Sequence, residues 1–484
     1  MDDAKGLCAE WQSLLENFCG VFTLGGWARF AQWTTGMVLC SEEHTITQIL
    51  TGLALEAQWR NVEHFAEYGA WDREAVERHL MRLVEQEHPA RWGRYHPVAI
   101  DDTKEHRTSA DVWGTCTFHE SGARSPNRAT TVRAHNWVVM GDLAPGRPWT
   151  YLPTASRLYF RKSQLPAGER FRTKTAMSVE MLREIDSESA APVLAAFDGA
   201  YAMGTVIKPC LNPPEGKRRI EFVTRLRRDA RLYEPLAASA KNPKGGRPRK
   251  WGKRLPAPQE HDQWGVPWRR GRAYVYGRVR TFRYKCLRCC WSVSGPEQVM
   301  VAFVFEVPGY DKLWSTITSA DDLSAGQTLS VNAGRFRQED GFRDHKQRLG
   351  MEECRAWTKE PVLRTFQVQM TALTLLRLMQ FRLHRRFGEA WCSPPPWNLR
   401  KRHVSILDLR RLFWQHRSRF SQVMSALDDL RKPPQTKYHC GQPTSRAAYK
   451  CWKLLLRGMQ NREGQSEDSI RRLPSGQQWG NWAV

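Results

Sequence analysis

Two periodicities take turns along the chain. Between about residues 10 and 90, apolar positions recur at helical spacing: "WDREAVERHLMRLVEQ" carries them behind an Asp, and "SEEHTITQIL" opens with Ser-x-x-His in place of a full capping box. This stretch predicts a small helical domain. From about 96 the pattern becomes short apolar or alternating runs, "HPVAIDD", "TTVRAHNWVVMGDL", "APVLAAFDGAYA" and "RRIEFVTRLRR", interrupted by the helical "KTAMSVEMLREIDSE". Strands mixed with helices in this order predict an α/β sheet. Between about 234 and 275 the chain turns to Pro, Gly, Lys, Arg and Trp, as in "KNPKGGRPRKWGKRLPAP", which predicts a loop or extended arm. The strand-like "AYVYGRVRTFRYKC" and "VMVAFVFEV" follow it, so the arm leads into a β-rich insertion. Helical spacing resumes at about 330 and holds to about 458, ahead of a polar tail.

Charge narrows the choice of partner. The chain has 484 residues, room for two to four domains, and carries a net charge of +24 with basic residues crowded between Lys217 and Lys285. Self-repulsion on that scale points to a polyanion, nucleic acid first. A membrane is excluded as a spanning partner because the most apolar helical stretch, "FQVQMTALTLLRLMQFRL", is broken by Gln and Arg and reads as an amphipathic core helix. The start "MDDAKGLCAEW" shows no basic region leading an apolar run, which predicts a cytoplasmic protein. The 12 cysteines lack a framework spacing and read as buried thiols. Their one cluster, Cys286, Cys289 and Cys290, would need His439 or Cys440 to complete a zinc site.

The stretch "NAGRFRQEDGFRDHKQRLG", residues 332–350, reads as one helix with a charged stripe. At about 100° per residue, Asn332, Arg335, Glu339 and Lys346 fall near 0°, 300°, 340° and 320°, roughly one face, with Arg343 close by. A solvated salt-bridged face explains this by itself. The alternative needs further acids at strand ends, and two places offer them: Asp101 and Asp102 close "VAIDD", and Asp198 closes "VLAAFD". Each has a plain explanation too, since Asp102 with Glu105 matches a capping box and Asp198 with Gly199 an ordinary turn. Clustered carboxylates repel unless cations neutralise them. Hard divalent ions with oxygen ligands do so, and a pair of Mg²⁺ or Mn²⁺ ions serves both the attacking and the leaving oxygen of a phosphodiester. Arg335, Arg343 and Lys346 would then grip neighbouring phosphates.

With Asp102, Asp198 and Glu339 in place, the sequence resembles the DDE transposases of bacterial insertion sequences. It is most similar to the branch whose third acid lies in Tyr-x-x-Arg-x-x-x-Glu-x-x-x-x-x-x-Lys, which Arg335, Glu339 and Lys346 match, with Asn332 at the Tyr position. "IDDTKEH", "NRATTVRAHNWVV", "FRTKTAMSVEML", "FDGAY" and "VTRLRRDARLY" extend the likeness over roughly residues 15–430. The resemblance implies an α/β fold, a ribonuclease H-like core with a β-rich insertion, flanked by helical N- and C-terminal regions. It divides the chain into a helical DNA-binding region (1–93), the first part of the core (94–233), the basic arm and insertion (234–328), the catalytic helix (329–360), a helical C-terminal region (361–460) and a tail (461–484). It implies Asp102, the acid directly before Thr103, together with Asp198 and Glu339 as catalytic metal ligands, and an enzyme that cleaves and rejoins the inverted repeats of its own element. A nuclease of the same core that cuts without joining, or a DNA-binding derivative without catalysis, are its rivals. It further implies double-stranded DNA as partner and a homodimer on that DNA. Trp291 would stack on a displaced base, and Arg247 and Arg249 resemble the Arg-Pro segments that enter an A/T-rich minor groove.

Overall fold

The computed structural model describes residues 4–120, 130–236, 249–388, 396–399, 401 and 403–429. Five helices come first: α1 (Ala4–Glu16), α2 (Leu24–Leu39), α3 (Ile46–Thr51), α4 (Trp59–Tyr68) and α5 (Arg73–Glu87). The Asp ahead of the helical run caps α5, its carboxylate accepting from the Glu74 N–H at 2.9 Å. Phe22, Phe30, Phe65 and Trp71 pack ring against ring between these helices.

The sheet opens with β1 (His96–His106), β2 (Cys116–His119), β3 (Thr131–Ala144) and β4 (Thr150–Tyr159). Then come α6 (Lys174–Glu188), β5 (Val193–Phe197), α7 (Gly204–Leu211) and β6 (Glu221–Arg225). β1 is antiparallel to β3 and parallel to β5, and β5 is parallel to β6. Period-2 alternation divides the sheet's two faces. Val98, Ile100, Ala195 and Phe197 pack beneath α6 and α7, whereas Ala99, Leu194 and Ala196 face the opposite side. β1 continues through Glu105, so the capping-box reading of Asp102 and Glu105 gives way: the segment is extended and Glu105 is buried within it.

The strands that follow the basic arm join the same sheet. They are β7 (Leu232–Tyr233), β8 (Arg254–Leu255), β9 (Arg269–Val275), β10 (Arg278–Trp291), β11 (Val299–Glu306) and β12 (Trp314–Thr318). β12 pairs with β6, β11 with β12 and β10 with β11, giving 12 hydrogen-bonded strands among the described residues. "AYVYGRVRTFRYKC" is therefore a hairpin, β9 turning into β10 at Tyr276 and Gly277, both with positive φ (44° and 86°).

Four helices close the described chain after α8 (Ala325–Gly334): α9 (Arg337–Arg348), α10 (Lys359–Phe387), α11 (Ile406–Gln415) and α12 (Arg417–Asp429). The charged stretch is two helices rather than one. Hydrogen bonds tighten at Arg335 and Phe336, where the Phe336 N–H reaches Ala333 and the Glu339 N–H reaches Phe336, three residues back. α10 contains the apolar stretch excluded above as a span and is buried on nearly all sides, against β4, α2 and α4. Among the described residues no helix is long and apolar enough to cross a membrane.

Candidate active site

Strand register builds the site. Ile100 of β1 lies beside Phe197 of β5, so the next residues, Asp101 in mid-β1 and Asp198 just past the end of β5, follow side by side on two parallel strands. Alternation puts Asp101 on the same side of the sheet as Ala99, where α8 and α9 pack, and turns Asp102 to the side covered by α6. Arg335, at the joint of the two helices, reaches Asp101 at 3.4 Å and Glu339 at 3.9 Å. α9 is held tight to the sheet because Gly341 carries no side chain: a Cβ there would sit 2.6 Å from the Tyr151 ring. Gln338, fully buried, adds hydrogen bonds from its amide to the Val139 carbonyl and the Tyr151 hydroxyl, both 3.1 Å.

Burial and, after it, neighbouring charge set the electrostatics of the cluster. Burial pushes the Asp101 carboxyl up to about 6; the Asp102 N–H and Arg335 oppose this, while the Asp102 and Asp198 charges add to it. Glu339 is also raised, first by partial burial, with Asp198 and Asp340 adding to it against Arg335. Carboxylate oxygens alone make up the donor set, the chemistry that suits Mg²⁺ or Mn²⁺. Among the described residues no three His, Cys, Asp or Glu side chains close into a metal-holding group.

Asp102 has a different neighbourhood. Its oxygens take the Lys174 ammonium at 2.6 Å and the Tyr201 hydroxyl at 3.0 Å. The Asn136 amide completes the shell when turned with its nitrogen toward the carboxylate, donating to Asp102 at 3.1 Å and accepting from Lys174 at 2.9 Å. Sequence reasoning did not single out Lys174 or Tyr201, although both sit in stretches that carried the resemblance, "FRTKTAM" and "FDGAY". His135 is fully buried with Glu105, Arg107 and Trp137 in a polar network that ties β1 to the Cys354 carbonyl.

The remaining sequence candidates scatter. Lys346 pairs with Glu352 at 3.0 Å and Arg343 with Asp340 at 2.9 Å, the latter largely exposed. Trp291 is a core residue: it is 4 % exposed and its ring packs near Phe222, leaving no face for a base. Arg249 is exposed at the end of the basic arm, and Arg247 lies outside the described residues. Cys289 and Cys290, both buried, are successive residues of β10 and so point to opposite faces; burial raises the Cys289 thiol to about 12. His439 and Cys440 lie outside the described residues.

A search of curated proteins finds no match for the chain. The family described as DDE superfamily endonuclease matches residues 24–284, a span that holds α2 through the first half of β10 and includes Asp101, Asp102 and Asp198. With more than half of its length matched, the chain belongs to the DDE superfamily endonucleases.

Proposed function

We propose that this chain is a DDE transposase, a metal-dependent DNA endonuclease and strand transferase acting on the terminal inverted repeats of an insertion sequence. Family membership implies a nuclease with DNA as substrate and divalent metal ions as its usual helpers. The observation that carries the finer reading is the register of Asp101 beside Asp198, with Arg335 and Glu339 brought over that same face. Asp101, rather than Asp102, is therefore our first acid, and Asp102 becomes the anchor for Lys174.

In this reading Asp101, Asp198 and Glu339 would hold the metal, which when bound would supply Lewis acidity toward a water or a 3′-hydroxyl and toward the leaving oxygen. Arg335 has two tasks: it neutralises Asp101 and Glu339 while the site is empty, and its planar fork turns to a phosphate oxygen when DNA is seated. Lys174, fixed by Asp102 and Asn136 and lying over the Tyr159 ring at 5.3 Å, offers a cation to the backbone from the other side of β1. Two element ends must meet before joining, so a homodimer on DNA is part of the proposal.

The test is Mg²⁺-dependent cleavage of a duplex ending in the inverted repeat that flanks the gene. Glu339→Gln and Asp101→Asn should bind the duplex and lose nicking by at least a hundredfold. Asp102→Asn should retain measurable nicking with a raised KM. Equal nicking by wild type and Glu339→Gln would end the proposal, and joining of a free 3′-hydroxyl separates a transposase from a nuclease that only cuts.

A further inference from the structure

The hairpin of β9 and β10 is charged in a way the fold does not need. Among the described residues β9 is an edge strand, bonded only to β10. Its inner face is sealed: Ala273, Val275 and, across the ladder, Phe282 are buried in a cluster with Leu329 of α8. The outer face carries Arg270 and Arg272, both exposed. Arg270 stands directly opposite Arg283, a like-charge pair that costs stability across a ladder. The nearby acid, Glu306, is already bonded to Arg283. Among the described residues neither Arg270 nor Arg272 has an acid partner. The face continues through Tyr274, whose hydroxyl lies within reach of the charges of Arg147 and Arg337. At its tip the hairpin meets the joint that carries Arg335, the Tyr276 and Phe336 rings lying 5.4 Å apart with both about two-fifths exposed.

We propose that the outer face of this ribbon, led by Arg270 and Arg272, binds the phosphate backbone of double-stranded DNA leading away from the active site. The inference rests on the reading above that DNA is the substrate. Residues two apart on a strand are spaced by about 6.8 Å, far enough for each fork to take a different phosphate of one DNA strand, whose charges follow every ~3.4 Å of helix axis. The arginine fork suits phosphate oxygens, and an arriving polyanion relieves the repulsion between Arg270 and Arg283. Arginines on an edge strand also keep it from pairing with another sheet, and that role alone would leave DNA binding untouched.

The experiment measures binding of the full chain to a labelled 30-base-pair duplex of arbitrary sequence across a salt series. Arg270→Gln/Arg272→Gln is compared with the charge-keeping Arg270→Lys/Arg272→Lys and with Lys208→Gln/Lys217→Gln, which removes the same charge outside the ribbon. Two lost phosphate contacts lower the slope of log affinity against log salt by about 1.8, so that the affinity ratio between 50 and 200 mM salt shrinks about twelvefold. We expect that change in the Gln pair alone, with the Lys pair close to wild type. An unchanged slope in the Gln pair, or equal losses in the ribbon and control variants, overturns the proposal while leaving DNA as substrate. A wild type whose binding shows no salt dependence removes the DNA reading and the ribbon with it.

Discussion

Replacing Asp101 by Asn should make the protein more stable and inactive at once. The carboxyl is raised from the usual 3.8 to about 6, so the fold prefers its neutral form. About two pKa units at ~1.36 kcal/mol each amount to a penalty near 3 kcal/mol for holding Asp101 ionised. Its sign follows from the direction of the shift. The penalty is absent below about pH 4, grows as pH rises through the folded value of about 6, and is complete at pH 7.5. Asn keeps the side chain's shape and the oxygen that accepts the Asp102 N–H at 2.8 Å, and it carries no charge to bury. Urea unfolding in EDTA should therefore find Asp101→Asn more stable than wild type by about 1–3 kcal/mol at pH 7.5, with the gap closing at pH 4.5. Adding Mg²⁺ should stabilise the wild type and leave the variant unmoved, because a ligand that binds only the native state stabilises it in proportion to its occupancy. A variant no more stable than wild type at pH 7.5, or one that gains as much from Mg²⁺, would refute the assignment of Asp101 as a charge stored for a metal.

Gly341→Ala should push α9 off the Tyr151 ring, costing about 1–3 kcal/mol and lowering cleavage more than DNA affinity; parallel nicking and binding titrations check it. Glu105→Gln breaks a buried ion pair with Arg107 and should cost about 3 kcal/mol near pH 7, measured by urea unfolding. Because the folded Glu105 is held below its ordinary value, despite burial, by His135, Arg107 and Trp137, its contribution is present above about pH 4.5 and fades as pH falls, so the difference between wild type and variant should shrink in acid.

Much of this fold was legible because its elements obey simple periods. The apolar runs closing in Asp102 and at Asp198 are β1 and β5, and the Asp ahead of "REAVERHLMRLVEQ" caps α5 where the pattern predicted it. β4 escaped notice because Pro153 and the polar "TASR" disguise a strand that is buried on both faces, beneath α10 and α9. The hairpin at Tyr276 was hidden because the turn places a bulky aromatic where Gly or Asn is usual. At the proposed site, the sequence offers the acidic positions but not the faces they occupy. Adjacent aspartates in a strand point opposite ways, and only the pairing of Ile100 with Phe197 decides which of them meets Asp198. Trp291 looked available for stacking since composition says nothing of depth, and the structure puts it in the core.

The continuous ladder from β5 through β6, β12 and β11 to β10 bears on how such a protein can be rebuilt. A region that follows the basic arm invites treatment as a cassette, to be excised or exchanged for another recognition module. Here excision would strip β6 of its partner β12 and leave a bare, strongly apolar sheet edge next to the strand that ends in Asp198, an open template for aggregation. Retargeting is better sought by changing side chains on the ribbon's outer face, where the backbone that aligns the carboxylates is left as it is.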